Sequence, residues 1–323
     1  MTKFLLPFLY SLGTTVVTIY FLIWLKKKYN YSAIKRFGGL VIILVFIAFV
    51  LADKNLVITG PIWGIIIGGA LIFIFGLWDD LKNLNWKWQL LFQIIIAVTV
   101  IFFGVRSGYI AGPLGGLINL GNPIIYFALF TAYFLVFINS LNWLDGVDGL
   151  SGGVAFVALV VIFLLSFKPE VNQPAVAILC SILGGTILAF LIFNFSPARI
   201  FAGTSGAWFF GFALAALSIF AGAKIATTLI AVLIPVLDFI WVILERYREG
   251  QSIFSKDDRH LHFKLLKFGI GEVKVVLFLC FLTLLIGAAS LALSASGKIF
   301  LMVIFSFLYF FTISKLKAKI ENI

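Results

Sequence analysis

Residues 138–153 read INSLNWLDGVDGLSGG, between PIIYFALFTAYFLVF (123–137) and VAFVALVVIFLLSF (154–167). Asn139, Asn142, Asp145 and Asp148 recur every three residues, with Gly146, Gly149, Gly152 and Gly153 among them. Ionisable groups at the edge of hydrocarbon are costly and mark function by default. Steps of three keep Asn139, Asn142 and Asp145 on one broad helix face. The glycines then predict a helix end or unwound turn that lets Asp148 converge on the same place. Carboxylate and amide oxygens are hard ligands that suit Mg²⁺. The plainer reading is a hairpin turn between two spans, with Asn and Asp as ordinary turn formers.

The flanks set the class of the whole chain. Of 323 residues, 63% are hydrophobic and 11% charged, with a mean hydropathy of +1.16. Such a composition excludes a soluble domain and predicts an all-α, polytopic membrane protein. At roughly twenty residues per span, the apolar runs give about eleven transmembrane helices: 4–25, 38–53, 57–77, 88–105, 122–140, 150–167, 174–194, 205–222, 224–243, 273–293 and 298–315. Little length remains for anything else, so residues 1–323 are expected to form a single integral-membrane domain. The first apolar run is too long for a signal-peptide core and is read as an uncleaved span. Cys180 and Cys280 lie in apolar runs and read as small buried hydrophobes.

The net charge of +11 does not point to nucleic acid, because the basic residues sit in loops between spans. One set of loops carries 18 of the 24 Lys and Arg, including Lys26, Lys35, Arg36, Lys82, Lys87, Arg199, Arg246, Lys256, Arg259 and Lys264; the other set carries Lys3, Lys54, Arg106, Lys168, Lys224 and Lys298. The richer side is expected to be cytoplasmic, with the N-terminus outside and the C-terminus inside. Four polar segments fall on that side: GLWDDLKNLNWKWQLLFQ, INSLNWLDGVDGLSGG, NFSPARIFAGTSGAW and SKDDRHLHFKLL.

Each segment carries candidate chemistry and a plainer alternative. Asp79 and Asp80 are adjacent carboxylates that repel and need a cation, or form a solvated helix end. Asn194, Arg199, Thr204 and Ser205 belong to a Gly-rich turn whose N–H groups can hold a phosphate, although many interhelical turns look alike. Arg259, His260, His262 and Lys264 make a compact cationic group suited to diphosphate, or an incidental basic loop. His260 and His262 do not share a helix face, which disfavours a two-His metal site on one helix. Asp238 follows Pro235, which should kink its span; it either lines a cavity or ties helices together.

From Lys35-Arg36 and Gly38-Gly39 to Leu266, these segments resemble the polyprenyl-phosphate N-acetylhexosamine-1-phosphate transferases of glycosyl transferase family 4. The N-x-x-N-x-x-D-G-x-D-G-L match at Asn139–Leu150 is the most specific, and the Asp pair, PARIF, LIP-x-LD and HLH follow in the family's order. The HLH form and the span count are similar to the undecaprenyl-phosphate GlcNAc-1-phosphate branch rather than the phospho-MurNAc-pentapeptide branch. The resemblance implies transfer of a sugar 1-phosphate, with GlcNAc leading, from a UDP-sugar to undecaprenyl or another polyprenyl phosphate, with release of UMP, for cell-wall or surface-polysaccharide synthesis. It implies a plasma-membrane enzyme with its active site on the cytoplasmic face, with the motif-bearing part at about 35–270 and a homodimer left open.

By position, the resemblance makes Asn142 a Mg²⁺ ligand and gives catalytic roles to Asp79, Asp80, Asp145 and Asp148. Asn139, Asn194, Thr204, Ser205, Arg259, His260, His262, Lys87 and Gln89 fall at substrate-binding positions. Three positions depart from the family pattern. Thr204 stands at a metal-binding Asp, Gln89 at a diphosphate-binding Lys (with Lys87 two residues earlier), and Phe263 where a third His is common. The first two changes cancel in charge, which is expected to leave an adjusted, Mg²⁺-dependent site. A catalytically impaired binder of lipid phosphate or nucleotide sugar, and a transporter built around Asp238, are the alternatives.

The charge asymmetry makes a topological prediction. Cysteines introduced at Lys82 and Lys256 should be shielded from an impermeant thiol reagent in intact cells; labelling of either would reverse the orientation.

Overall fold

A computed structural model of the chain describes residues 1–30, 32–112, 116–221, 225–253 and 258–321. Lys224, Lys256 and Asp257 of the sequence reading lie outside these. The chain begins with α1 (Thr2–Tyr29), a short 3₁₀ turn (Ser32–Arg36), α2 (Gly38–Ala52), α3 (Gly60–Lys82) and α4 (Trp86–Phe102). Two short strands, β1 (Tyr109–Ala111) and β2 (Leu117–Asn119), precede α5 (Pro123–Leu144), α6 (Leu150–Ser166), α7 (Pro174–Asn194) and α8 (Gly203–Phe220). Then come α9 (Ile225–Ala231), α10 (Leu233–Arg248), α11 (Leu261–Lys267), α12 (Glu272–Ala292) and α13 (Ala295–Glu321).

Among the described residues, seven helices are long and apolar enough to cross a membrane: α1, α3, α5, α7, α8, α12 and α13. The pair α9 and α10 passes the same test together but is bent by 76°, and α2, α4 and α6 are shorter apolar helices. The eleven apolar runs of the sequence thus fall on helices one by one, with the ninth run broken. Pro235 explains the break. It has no N–H for the carbonyl of Ala231, four residues back, and its ring crowds that carbonyl; α9 ends at Ala231. The bend is sharper than the kink expected from sequence.

The sequence reading also lacked β1 and β2, which pair antiparallel with Tyr109 opposite Asn119. They lie in a Gly-rich connection whose alternation is too short to be told from a loop.

Starts of the long helices follow local rules. Pro123 and Pro174 stand at first helical positions, where a missing N–H costs nothing. Asn122 caps α5 by accepting from Ile124 N–H at 2.9 Å. In the interior, α7 and α8 are the most enclosed spans, each with 83% of its apolar window buried, whereas only 6% of that of α13 is buried. Small residues permit the closest approaches, as is usual between membrane helices. A Cβ on Gly39 would overlap the backbone of Gly206, so α2 and α8 touch main chain to main chain there. Beside that contact, Gly38 and Gly39 N–H donate to the carbonyls of Phe201 and Ala202 at 3.1 and 3.0 Å, which fixes the turn leading into α8.

Gly39→Ala should therefore separate α2 from α8. Overpacking of this kind costs about 1–3 kcal/mol, visible as a lower thermal midpoint in detergent; an unchanged midpoint would contradict the contact.

Candidate functional site

The four polar segments meet. A cavity of about 510 Å³ is lined by Asp79 at the end of α3, Gln89 and Gln93 of α4, Asn139 and Asn142 of α5, Asp145 and Gly146 beyond it, Thr204 of α8, Arg246 of α10, and His260 before α11. Leu90, Leu135, Val136, Phe239, Ile243 and Phe263 supply apolar wall.

Asp80 does not line this cavity; it holds the start of α8. Its Oδ1 accepts Thr204 N–H at 2.7 Å, and its Oδ2 accepts Ser205 N–H at 3.2 Å and Ser205 Oγ–H at 2.9 Å. A carboxylate there satisfies orphan N–H groups and complements the helix dipole. The Gly-rich turn was expected to offer those N–H groups to a phosphate; in the fold two of them belong to Asp80. Gly203 enters this turn at φ +68°, and a Cβ on it would stand 2.7 Å from both Asp80 oxygens. The Arg36 guanidinium donates to the Asp80 carbonyl at 3.2 Å.

Asp79, thereby turned to the cavity, is gripped by three donors. Leu84 N–H and Gln89 Nε2–H reach Oδ1 at 2.9 Å each, and Thr204 Oγ1–H reaches Oδ2 at 2.6 Å. Two of the three family departures, Gln89 and Thr204, therefore converge on one carboxylate. No sequence signal connected them except that their charge changes cancel.

The second acid pair divides in the same way. Asp145 lines the cavity, held on Oδ1 by Ser151 Oγ–H. Asp148 turns away and accepts Ala198 N–H at 2.8 Å. Asp145 lies just past the last turn of α5, partly accessible through the cavity yet enclosed by protein. Burial, with smaller contributions from Asp80 and Asp148, pushes its carboxyl up to about 7, against the Ser151 hydrogen bond.

Asn194 is buried and consumed by backbone: its Oδ1 accepts Gly149 N–H at 3.0 Å and its Nδ2–H donates to Ile200 O at 2.9 Å. Asn139 exchanges amide bonds with Gln93, Nδ2–H to Oε1 at 2.7 Å and Nε2–H to Oδ1 at 3.3 Å. Gln93, 1% exposed, was missed by sequence reading; a Gln inside an apolar span was the signal. Lys87 is exposed beside the Trp86 ring at 5.7 Å and does not line the cavity. Ser205 is fully buried against Asp80.

The basic segment is not the compact cationic group that its sequence suggested. Arg259 pairs with Glu249 at 2.6 Å. Buried Lys264 faces Glu245 at 3.5 Å, and burial lowers the ammonium from its usual range. His262 is fully buried with neither ring nitrogen hydrogen-bonded, and desolvation pushes it down to about 4, so the ring is neutral. Only His260 of the four lines the cavity. Its Nδ1 meets Asp238 Oδ2 at 2.7 Å, and Trp143 packs edge-on at 5.4 Å. Of the two roles left open for Asp238, it ties elements together. The cation that does line the cavity is Arg246, fully buried, stacked 4.8 Å from the Trp143 ring centre and donating to Ile253 O at 2.7 Å. Sequence counted Arg246 only as a loop charge.

The donor set can be tested against a metal. No group of three or more His, Cys, Asp or Glu that could hold one occurs among the described residues. Asp79, Asn142 and Asp145 nevertheless place carboxylate and amide oxygens on one cavity. Mg²⁺ usually takes only one or two carboxylates and keeps several waters, so this hard-oxygen set fits it and offers no soft ligand.

An apolar multi-helix bundle whose chain segments bring acids, amides, an Arg and a His to a cavity at one end of the helices defines a multi-pass membrane protein with a polar site. Within that class the chain belongs to glycosyl transferase family 4, whose profile matches residues 62–222. It is 27% identical over 300 residues to a probable undecaprenyl-phosphate N-acetylglucosaminyl 1-phosphate transferase of Bacillus subtilis, covering 89% of this chain and 81% of that one. It is 30% identical over 285 residues to the decaprenyl-phosphate N-acetylglucosaminephosphotransferase of Mycobacterium leprae, covering 79% and 72%. A phospho-N-acetylmuramoyl-pentapeptide-transferase of Lactobacillus gasseri is 30% identical over 273 residues, covering 79% and 83%.

Two predictions follow from the acids. Asp145 has a folded value raised above its ordinary one, so its contribution to stability is complete below about 4 and is lost as pH rises through about 7. In metal-free protein, Asp145→Asn should be more stable than the parent at pH 8, with the gap closing towards pH 5; parallel melting curves would refute the shift. Because Gln89 and Thr204 share Asp79, Gln89→Lys and Thr204→Asp should be coupled by about 0.5–3 kcal/mol, as expected for residues in one network. A double-mutant cycle on turnover measures this, and additive effects would exclude the coupling.

Proposed function

We propose that this chain transfers GlcNAc 1-phosphate from UDP-GlcNAc to a polyprenyl phosphate and releases UMP. The observation that carries the reading is the cavity itself, where Asp79, Asn142, Asp145, Arg246 and His260 converge from separate segments. Resemblance to transferases of the same named chemistry gives independent support. In this reading residues 1–323 form one domain with eleven spans, counting α2, α4, α6 and the bent pair with the seven long helices. The basic side, which carries the cavity, faces the cytoplasm. The protein acts in the plasma membrane, and a homodimer is compatible with the scheme.

A lipid phosphate oxygen attacks the β-phosphorus of the nucleotide sugar. The new P–O bond forms as the bond from that phosphorus to the bridging oxygen breaks, and UMP leaves with that oxygen. A phosphate monoester has a second pKa near 6, so the nucleophile is already largely ionised at neutral pH and needs no strong base. The reaction then depends on positioning and charge stabilisation. Asp79, immobilised by three donors, orients groups instead of abstracting a proton. Arg246 donates to phosphate oxygens, His260 offers Nε2 to the substrate, and Phe239, Ile243 and Phe263 exclude water. Mg²⁺, held by Asn142 with Asp79 and Asp145, would neutralise diphosphate charge. Thr204 beside Asp79 supplies one carboxylate fewer than the family pattern and raises the metal requirement.

Asn142→Ala or Asp145→Asn should lower UMP release about 10²-fold or more, the scale for removing one polar group from a reacting centre, while insertion is retained. Near-wild-type rates in both would place the chemistry elsewhere. No UMP from folded wild type at any Mg²⁺ concentration would favour a binding protein. At pH 8, Mg²⁺ should raise the melting temperature of the wild type more than that of Asp145→Asn; equal shifts would remove Asp145 from the metal set.

A further inference from the structure

We infer that Tyr309, in the last helix, is a positioning residue that sets the tautomer of His260 through Asp238. Helix α13 contributes little to the core. Phe300, Val303 and Phe307 are 68%, 62% and 71% exposed, and of its hydrophobic residues Ile313 alone is fully buried among the described residues. Leu301, Met302, Phe305 and Tyr309 pack against the core from partly buried positions, and the Tyr309 hydroxyl donates to Asp238 Oδ1 at 2.8 Å.

The geometry on Asp238 is specific. Oδ1 receives two hydrogen bonds, from Tyr309 O–H and from Leu261 N–H, each at 2.8 Å. Oδ2 is left to the ring, 2.7 Å from His260 Nδ1. A doubly engaged Oδ1 cannot exchange places with Oδ2 without breaking both bonds, so the carboxylate plane is locked. A carboxylate oxygen accepts only, so the neutral ring must carry its proton on Nδ1. Nε2 is then the acceptor and becomes a donor only in the imidazolium. The partner of one ring nitrogen thus decides the state of the other. His260 has no fixed helix of its own to hold it, since it stands just before the seven-residue α11. Asp238 lies in the second turn of α10, just after the 76° break from α9. The third point that fixes the pair comes from α13.

A plainer role is possible for any buried tyrosine, whose hydroxyl usually finds a partner. A second anchor between the same helices separates the two. Lys317 of α13 pairs with Glu245 and Glu249 of the α10 end at 2.7 and 3.1 Å. If Tyr309 merely docks α13, loss of the Lys317 contact should disturb His260 in the same way.

The test exploits the presence of only two histidines in the chain. ¹⁵N-histidine NMR on the full-length protein in lipid nanodiscs, on the alkaline side of the ring titration, reads each tautomer, and a His262→Gln sample assigns the signals. Wild type should show His260 protonated on Nδ1. Tyr309→Phe should leave Oδ1 with the Leu261 donor alone, free the carboxylate to turn away from Nδ1, and give a mixture of tautomers. Asp238→Asn should invert the tautomer, because the two donors on Oδ1 keep the amide oxygen and turn its NH₂ towards Nδ1. Lys317→Met should retain the wild-type signal. In the UMP-release assay Tyr309→Phe should lower kcat about tenfold, within the range for a partner that orients a site ligand, with KM for the nucleotide sugar changed less than about threefold. A wild-type tautomer in Tyr309→Phe, an uninverted one in Asp238→Asn, or the same change in Lys317→Met overturns the inference. The kinetic arm rests on the proposed function, whereas the NMR arm does not: absence of UMP release with the NMR pattern intact rejects the function and leaves the positioning role standing.

Discussion

The carboxylate of Asp80 joins the end of α3 to the start of α8. It takes the N–H groups of Thr204 and Ser205 and the Ser205 hydroxyl, in a place where water has little access and unpaired donors would be costly. The helix dipole favours the charge, and Gly203 leaves the space for it. With Asp80 fixed inward, its neighbour Asp79 has to project elsewhere, and the direction open to it is the cavity. Thr204, held by the same contact, meets Asp79 from the other side. One buried interaction therefore sets both the docking of two spans and one wall of the candidate site.

The same economy recurs at the second acid pair. Asp148 binds Ala198 N–H, and Asn194 binds Gly149 N–H, so the loop after α5 and the turn before α8 are laced together. Asp145 is left towards the cavity, where burial resists its ionisation. In each pair one carboxylate is satisfied by backbone and holds the structure, and the other keeps oxygen lone pairs for a ligand. A metal or a cationic substrate group would relieve the cost of charging Asp145, which links occupancy of the site to stability.

Electrostatics of the basic segment follow from burial in a similar way. Arg259, Lys264 and Lys317 are matched by Glu249 and Glu245, which holds α10, α11 and α13 as a unit. The basic side chains that line the cavity are then Arg246, flattened on Trp143, and His260, steered by Asp238. A planar guanidinium beside an aromatic ring in a low-dielectric pocket is well suited to phosphate oxygens.

The sequence by itself determined that the chain is a helical membrane protein, where its apolar helices run, and which four segments carry polar chemistry. These are properties of local composition and of the roughly twenty-residue length a bilayer demands. Pro235 even announced a distortion of its span, although the 76° bend exceeded a kink because a missing N–H frees a carbonyl without fixing what the chain does next. Tertiary structure alone decided which of two adjacent or nearby acids faces the cavity, since Asp79 and Asp80 are chemically identical until the α8 N-terminus selects one. It decided that Gln89 and Thr204, 115 positions apart in the numbering, share one carboxylate. It separated four residues that looked like one cationic group, because pairing depends on Glu245 and Glu249 arriving from another helix. It also brought in Gln93, Arg246 and Tyr309, whose contacts with Asn139, Trp143 and Asp238 join residues far apart in sequence.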